Sequence, residues 1–535
     1  MKNKLGRFIF IITLLTGCNL IQQKKPSAVT RDTTITEITS FNTIFLDSAV
    51  VDRFIEDHIT YINFKEQFFD FYKERNFEYA WFDSTGITEQ ANHFINLLNN
   101  SILTLQDSSL YNAQLMAIYD SLIKKDINRV TIKERNNAEL LFTGQFFMYA
   151  SKVYKGSDIN AAELGWFIPR KKIDLTAVLD STLKNKIQED ELYFPLNSQY
   201  KKLQNYLSKY IEIDKNHNWG DTIEKPKTVL KKGMEDERVA IIKQKLFLLG
   251  DLQVTDSSNI FDSTLVSAVK KFQRRMGLTI DGNIGSKMME ELNIPIKERI
   301  SQLLINMERA RWMPADKDTN YILVNIPEYK MHVYDSGKNV FDIKVIVGTA
   351  TNSTVIFTDK LKYIVFSPYW NVPSSIVQKE IVPALKKNPN YLAKNNMEIT
   401  GKSGSLPVVR QKPGPNNSLG LVKFLFPNSF NIYFHDTPNH DLFTATNRSF
   451  SHGCIRLSEP KKLAQYLLRN DSAWTSQKID SCMHLQKEKW ITLDKPIPVF
   501  IVYFTAWVDK DGNLNFRKDI YGHDAKMNEK LFVKK

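Results

Sequence analysis

Cysteine is scarce in this chain: three residues in 535, at positions 18, 454 and 482. That excludes a disulfide framework and leaves no Cys-x-x-Cys pair to hold zinc. There is no His-Glu-x-x-His run and no Gly-x-Ser-x-Gly elbow, and the glycines at 348, 401, 404 and 420 do not form a phosphate-cradling loop. No run reaches the roughly twenty apolar residues needed to cross a bilayer. RNP-like stretches and basic recognition helices are missing, so the net charge of +13 does not read as nucleic-acid binding. The lysines fall in short pairs such as Lys231-Lys232 and Lys270-Lys271, which suits a polyanionic partner such as cell-wall polymer or anionic lipid.

What is present begins at the N-terminus. Lys2 and Lys4 make a basic start, Phe8 to Leu15 is a short apolar run, and Leu15-Thr16-Gly17-Cys18 closes it. This order is that of a secretory signal, and a cysteine at its end resembles a bacterial lipobox. Residues 1–18 are therefore expected to be a lipoprotein signal region, with Cys18 as the lipid attachment point and membrane lipid as a partner. An uncleaved anchor is the competing reading. Residues 19–35 read as a flexible tether. The expected address is the periplasm, lipid-anchored, at the outer membrane of a Gram-negative cell.

Behind the tether the period of the apolar residues divides the chain. Residues 36–230 look helical and rich in aromatics, with Phe64, Phe68, Phe71 and Tyr72 at helical spacing, and carry no catalytic cluster. They read as a scaffold. Residues 232–295 hold three short amphipathic helices: Val239, Ile242, Leu246 and Leu249 before Gly250, Leu265, Val269, Phe272 and Met276 before Gly277, then Met288, Met289 and Leu292. A bridging helix is expected over 296–318. From Tyr321 the period becomes that of strands, so 319–505 is expected to be predominantly β, including a strand Asn431 to Phe434. An insertion near 377–420 reads as helical, then loop from Gly401 to Asn417, and either covers a cleft or only packs. Asp509 to Asn513 is a turn, and 506–535 a polar extension. The fold class is multidomain α+β.

The chemistry gathers at Ser451-His452-Gly453-Cys454-Ile455-Arg456, with His435 nineteen residues upstream. A cysteine near a histidine becomes a nucleophile toward carbonyls. Two histidines compete for the base. His452 is two residues from Cys454 and can point away from it, whereas His435 arrives from a neighbouring strand end, so His435 is favoured. Gly453 permits a tight backbone in which the Cys454 N–H holds an oxyanion. A backbone carbonyl orients His435 as well as a carboxylate can. Arg456 reads as a carboxylate contact or as a partner of the Asp436 region. Zinc on His435, Asp436, His440, Asp441, His452 and Cys454 lacks a compact spacing; neither metal nor cofactor is expected. His332, His484 and His523 read as packing or surface residues.

The stretch from His435-Asp436-Thr437-Pro438 through Arg448 to Ser451-His452-Gly453-Cys454-Ile455-Arg456-Leu457 resembles the L,D-transpeptidases of bacterial cell walls. Asn306 to Trp312, Val324 to Tyr329 and Ser367 to Pro373 resemble the large subfamily with a helical scaffold. Residues 239–292 resemble a peptidoglycan-binding type 1 domain. The resemblance implies Cys454 as nucleophile, His435 as base, and His452 assisting. It further implies backbone support from Gly453, Cys454 and Asp436, and substrate contacts at Arg456, Ser451, Tyr433, Trp370 and Asn371. Residues 377–420 would cap the substrate. The implied reaction takes a stem tetrapeptide, releases D-alanine and forms a 3→3 cross-link between diaminopimelates. Water as acceptor would make an L,D-carboxypeptidase, and an inactive fold would leave a peptidoglycan-binding lipoprotein. Stem peptides and glycan strands are the implied partners, with further wall-synthesis proteins open; carbapenem acylation of Cys454 is also implied.

Overall fold

The computed structural model describes residues 44–105, 108–124, 130–157, 159–170, 172–184, 197–216, 219–314 and 319–532. Cys18, the signal region and the tether lie outside the described residues. The chain forms two compact units. Of the described residues, the first takes those within 44–96, 112–148 and 175–184, the second those within 97–111, 149–174 and 197–532. The stretch 36–230, expected as one scaffold, is thus divided between them.

In the first unit the aromatic stripes are core. Helix Lys65–Glu74 buries Phe68, Phe71 and Tyr72, and helix Ile132–Ala150 buries Phe142, Phe146 and Phe147. A polar group is held among them: Glu139 accepts from the amides of Ala80 and Trp81 at 2.7 and 3.0 Å and from the Tyr72 hydroxyl at 2.9 Å. Burial still pushes its carboxyl up to about 7.

The second unit contains the three expected helices, Arg238–Leu249, Ser263–Arg275 and Ser286–Leu292. In the middle one Leu265, Ala268, Val269 and Phe272 recur at one-face spacing and are buried. Asp262 caps it, accepting from the Leu265 amide at 2.7 Å, a contact worth about 1 kcal/mol. Helix Ile296–Trp312 follows. Its buried Glu308 accepts from Ser157 N and Oγ at 2.8 Å and from Trp312 Nε1 at 3.0 Å. Gly156 has φ +76°, and a Cβ there would lie 2.5 Å from the Glu308 carboxylate, so only glycine permits this approach.

Residues 321–502 carry a nine-stranded sheet. Its order is Ser449–Ser451, Lys338–Gly348, Ile455–Leu457, Phe434–His435, Val422–Leu425, Phe357–Phe366, Lys489–Val502, Tyr321–Asn325 and Lys330–Asp335. Lys330–Asp335 also pairs with Lys338–Gly348, which closes the sheet on itself. Val324, Ile364, Phe424, Phe434, Ile455 and Ile501 fill the interior. Each such side chain, fully buried, stabilises the fold by about 1.5–3 kcal/mol.

Three expectations are corrected. The strand expected from Asn431 to Phe434 is only Phe434–His435. Asn428 builds a loop before it, donating to the Phe426 and Ile432 carbonyls at 2.6 and 2.8 Å and accepting from the Phe430 amide at 3.0 Å, while Asn431 takes φ +55°. The loop expected over 401–417 contains most of a hairpin, Met397–Ser403 with Leu406–Gln411, joined to Trp370–Asn371 in a three-stranded sheet. Its outer face is solvated, so alternation is weak; on that strand pair only Val409 and Gln411 are buried, Val409 against Val372, Val377 and Ile381. The polar extension 506–535 is folded through 532. Hairpin strands Ala506–Val508 and Leu514–Phe516 and helix His523–Phe532 bury Trp507, Phe516 and Met527 in the same core as the barrel.

Candidate active site

Register assembles the site. Phe434 pairs with Ile455 and His435 with Arg456 in parallel strands, and Ile455 N donates to Tyr433 O at 3.2 Å. Successive strand residues face opposite ways. Phe434 and Ile455 therefore point into the barrel, and Tyr433, His435, Cys454 and Arg456 share the other face. On the far side of His435, Lys423 pairs with it in the antiparallel strand Val422–Leu425.

His435 is buried, and its Nδ1 lies 2.5 Å from the Asp436 carbonyl oxygen. A ring N–H donating there fixes the tautomer and leaves Nε2 as the acceptor. Burial, with the charges of Arg456 and Lys423, drives the imidazole down to about 3, so it is neutral at pH 7. The Asp436 carboxylate does not orient the ring. It accepts from the Leu421 amide at 2.8 Å and stands 3.3 Å from His440. Gly420, at φ +63°, makes room for it, since a Cβ there would collide with Asp436.

The Cys454 sulfur lies 3.6 Å from the Asn431 carbonyl and interacts with the Tyr433 phenol. Burial pushes this thiol up. The resting pair is therefore neutral thiol and neutral imidazole, not an ion pair. Among the described residues no hydrogen bond joins Cys454 to His435, a looseness common before substrate binds.

The turn that carries the sulfur is pinned from two sides. Ser451 Oγ donates to Cys454 O at 2.6 Å and accepts from Gly453 N at 3.1 Å. Thr354 Oγ1 donates to Gly453 O at 2.8 Å. Gly453 sits at φ +115°, open to glycine and strained for other residues. Its N–H is occupied, whereas the Cys454 N–H meets no protein acceptor among the described residues. The amide free to receive an oxyanion is that of Cys454.

Other expected residues separate. Ser451, expected at the substrate, is buried with its hydroxyl committed to the turn. His452 is 61% exposed and lies 3.9 Å from Glu380 of the insertion. Trp370 and Asn371 pair with Gln411 and Arg410 in the insertion's own sheet, and among the described residues neither hydrogen-bonds to Cys454 or His435. Lys423, Thr354 and Asn431 escaped the sequence reading. Lys423 sits in an ordinary alternating strand, Val422-Lys423-Phe424-Leu425, whose place beside His435 exists only in the sheet register.

Comparison with known proteins fits this arrangement. The "L,D-transpeptidase catalytic domain" family (YkuD) matches residues 319–479, the "Scaffold domain" family 66–207, and the "Putative peptidoglycan binding domain" family 235–292. A Haemophilus influenzae protein named "Putative L,D-transpeptidase" is 35% identical over 243 residues, which is 42% of this chain and 49% of that protein. The chain thus spans about half the length of the curated relative it matches. An L,D-transpeptidase crystal structure from Stackebrandtia nassauensis shares 15% identity, covering 53% of this chain and 96% of that one, with a TM-score of 0.22. One from Mycobacterium smegmatis shares 12%, covering 34% and 58%, with a TM-score of 0.20. With TM-scores this low, neither structure bears on the site geometry. The chain thus carries a YkuD-type L,D-transpeptidase domain together with scaffold and peptidoglycan-binding domains, a combination that matches a known multidomain subfamily.

Proposed function

We propose that this chain is a peptidoglycan L,D-transpeptidase that forms 3→3 cross-links through a thioester on Cys454. The observation that carries the reading is the sheet face shared by Cys454 and a buried, neutral His435 with its Nδ1 held by Asp436 O. The donor is a stem tetrapeptide ending in diaminopimelate and D-alanine. As Cys454 Sγ bonds to the carbonyl carbon at the L-centre of diaminopimelate, its proton passes to His435 Nε2. The oxyanion meets the Cys454 N–H. The C–N bond then breaks, and the same proton leaves with the D-alanine amine. The side-chain amine of a second diaminopimelate attacks the thioester, gives a proton to His435, and returns the thiol. One amide replaces another, so no nucleotide is consumed. Substrate docking brings thiol and imidazole together, since neither is charged at rest.

Retention of the chain at a membrane by acylated Cys18, within the periplasm, belongs to the same proposal and rests on residues 1–18.

The test is incubation of the full chain in detergent with purified diaminopimelate tetrapeptide muropeptides, read by mass spectrometry beside Cys454→Ala. The expected product is a dimer weighing two substrates minus one D-alanine, absent with the variant, with fragmentation showing the 3→3 bond. Tripeptide alone would make the enzyme a carboxypeptidase. Binding to sacculi without turnover would reduce it to a wall-binding protein.

A further inference from the structure

Buried cations in the second unit are almost all neutralised or hydrogen-bonded. Arg299 meets Glu291 at 2.8 Å, Arg309 meets Asp524 at 2.6 Å, Arg275 pairs with Asp251, and Arg311 with Glu308. Arg448 gives its donors to three carbonyls, of Val345, Ala445 and Tyr329, at 2.8–3.2 Å. Lys243 has Asp256 at 2.7 Å and Asp262 at 3.2 Å. Burying a cation without such partners costs several kcal/mol.

Among the described residues several half-buried cations break that pattern, Lys209 and Lys489 included, and two of them stand on either side of the proposed base. Lys423 and Arg456 are half-buried and flank His435 in register, on the strands to its left and right. Two interstrand spacings put their backbones roughly 10 Å apart. Among the described residues neither has an ion pair or a hydrogen bond, and Arg456 Nε is fully buried without a partner. Arg456 acts electrostatically on Cys454. Lys423 leans the other way, its Nζ 5.6 Å from the centre of the half-exposed Trp490 ring, and the carboxylate it senses, Glu488, forms no ion pair with it.

We propose that Lys423 and Arg456 are the two carboxylate anchors of the donor peptide, with Arg456 holding the carboxylate of the leaving D-alanine and Lys423 the side-chain carboxylate of diaminopimelate. This rests on the transpeptidase reading above. The donor carries the D-alanine carboxylate on one side of the attacked carbonyl and the diaminopimelate side-chain carboxylate on the other, and the site offers an unneutralised cation on each side of the base. Arg456 takes the nearer carboxylate because it is the cation that senses the sulfur; its planar fork suits two-point contact, whereas Lys423 offers a point charge on a longer reach. Arg456 thereby becomes a specificity-determining residue. In a pentapeptide the fourth residue has an amide where the tetrapeptide has its carboxylate, so the anchor has nothing to hold.

The experiment measures kcat/KM of the full chain in detergent for three donors: the tetrapeptide, the pentapeptide, and the tetrapeptide with its diaminopimelate side-chain carboxylate amidated. Wild type, Arg456→Gln and Lys423→Gln are compared. Wild type should favour the tetrapeptide over each other donor by about tenfold to a hundredfold, the worth of a hydrogen bond to a charged group. Arg456→Gln should collapse only the tetrapeptide-to-pentapeptide ratio, and Lys423→Gln only the free-to-amidated ratio. Ratios within one variant do not depend on how much of it folds. Unchanged ratios in both variants, or a wild type indifferent to either change, would overturn the assignment. Equilibrium binding of the same donors to a Cys454→Ser form separates this from failure of the reaction itself. Carboxylate-dependent binding lost with Arg456, in a chain that never turns over, would sink the transpeptidase reading and keep the anchors.

Discussion

His332, largely buried, and His435, more fully buried, stand in the same barrel, and their surroundings are opposite. His332 has a carboxylate on each nitrogen, Glu328 at 2.9 Å and Asp342 at 2.8 Å. Burial pulls its pKa down, but the two anions win and lift it to about 10. His435 has a carbonyl on one nitrogen and cations beside it, and stands at about 3. One ring is a cation at neutral pH that ties the strand Lys330–Asp335 to its neighbour. The other is a neutral ring with an open nitrogen, the base of the proposed reaction. Burial alone explains neither; the sign of the neighbouring charge selects between strut and base.

The largest contrast is expected in turnover. His435→Ala should lower kcat/KM about 10²–10⁴-fold, the usual share of a general base. His332→Ala should leave the cross-linking rate of the folded fraction within a few-fold. The same two variants should exchange order in stability. Removing His332 takes the hydrogen-bonded partner from the buried Glu328 and leaves it Lys330 at 3.5 Å, so a loss of about 2 kcal/mol is expected from urea unfolding. Removing His435, a neutral ring, strands no charge and costs only the space it filled, so its urea midpoint should fall less.

The two rings also predict opposite pH limbs. A folded-state pKa raised above the ordinary 6.5 contributes stability that is whole below 6.5 and fades as pH rises toward 10; that is His332. A pKa lowered to about 3 means the unfolded chain binds the extra proton, so stability is whole above 6.5 and fades as pH falls toward 3; that is His435. Urea midpoints at pH 5, 7 and 9 should show His332→Gln flattening the alkaline limb and His435→Gln the acid limb. Parallel curves for both variants would remove the contrast.

How far these roles could be read in the sequence depends on chain separation. The Cys454 turn was legible because Ser451, Gly453 and Cys454 lie within four residues and each does a local job. The three short helices were legible because 3.6-residue spacing and the closing glycines at 250 and 277 are local signals. Lys423 and Thr354 were not, since pairing across the sheet, not neighbours in the chain, gives them their roles. His332 looked like packing because Asp342, its second partner, lies on another strand. The 397–411 hairpin hid behind a solvated face, and the 506–535 segment behind polar residues that turn inward to Arg309 and Thr505, as Asp524 does.

The smallest expected effect concerns the insertion. Glu380 and His452 are 58% and 61% exposed and 3.9 Å apart, linking the 377–420 segment to the residue two before the nucleophile. Two exposed side chains at that distance attract weakly and are screened by salt. Glu380→Gln should therefore change stability by no more than about 0.5 kcal/mol. If the segment covers the donor, the contact matters when substrate is bound, and KM should rise a few-fold at low salt with kcat nearly constant. Raising the ionic strength should erase the difference between variant and wild type. A segment that only packs predicts no difference in KM at any salt, and that outcome would leave His452 as a surface residue of the turn with no part in holding substrate.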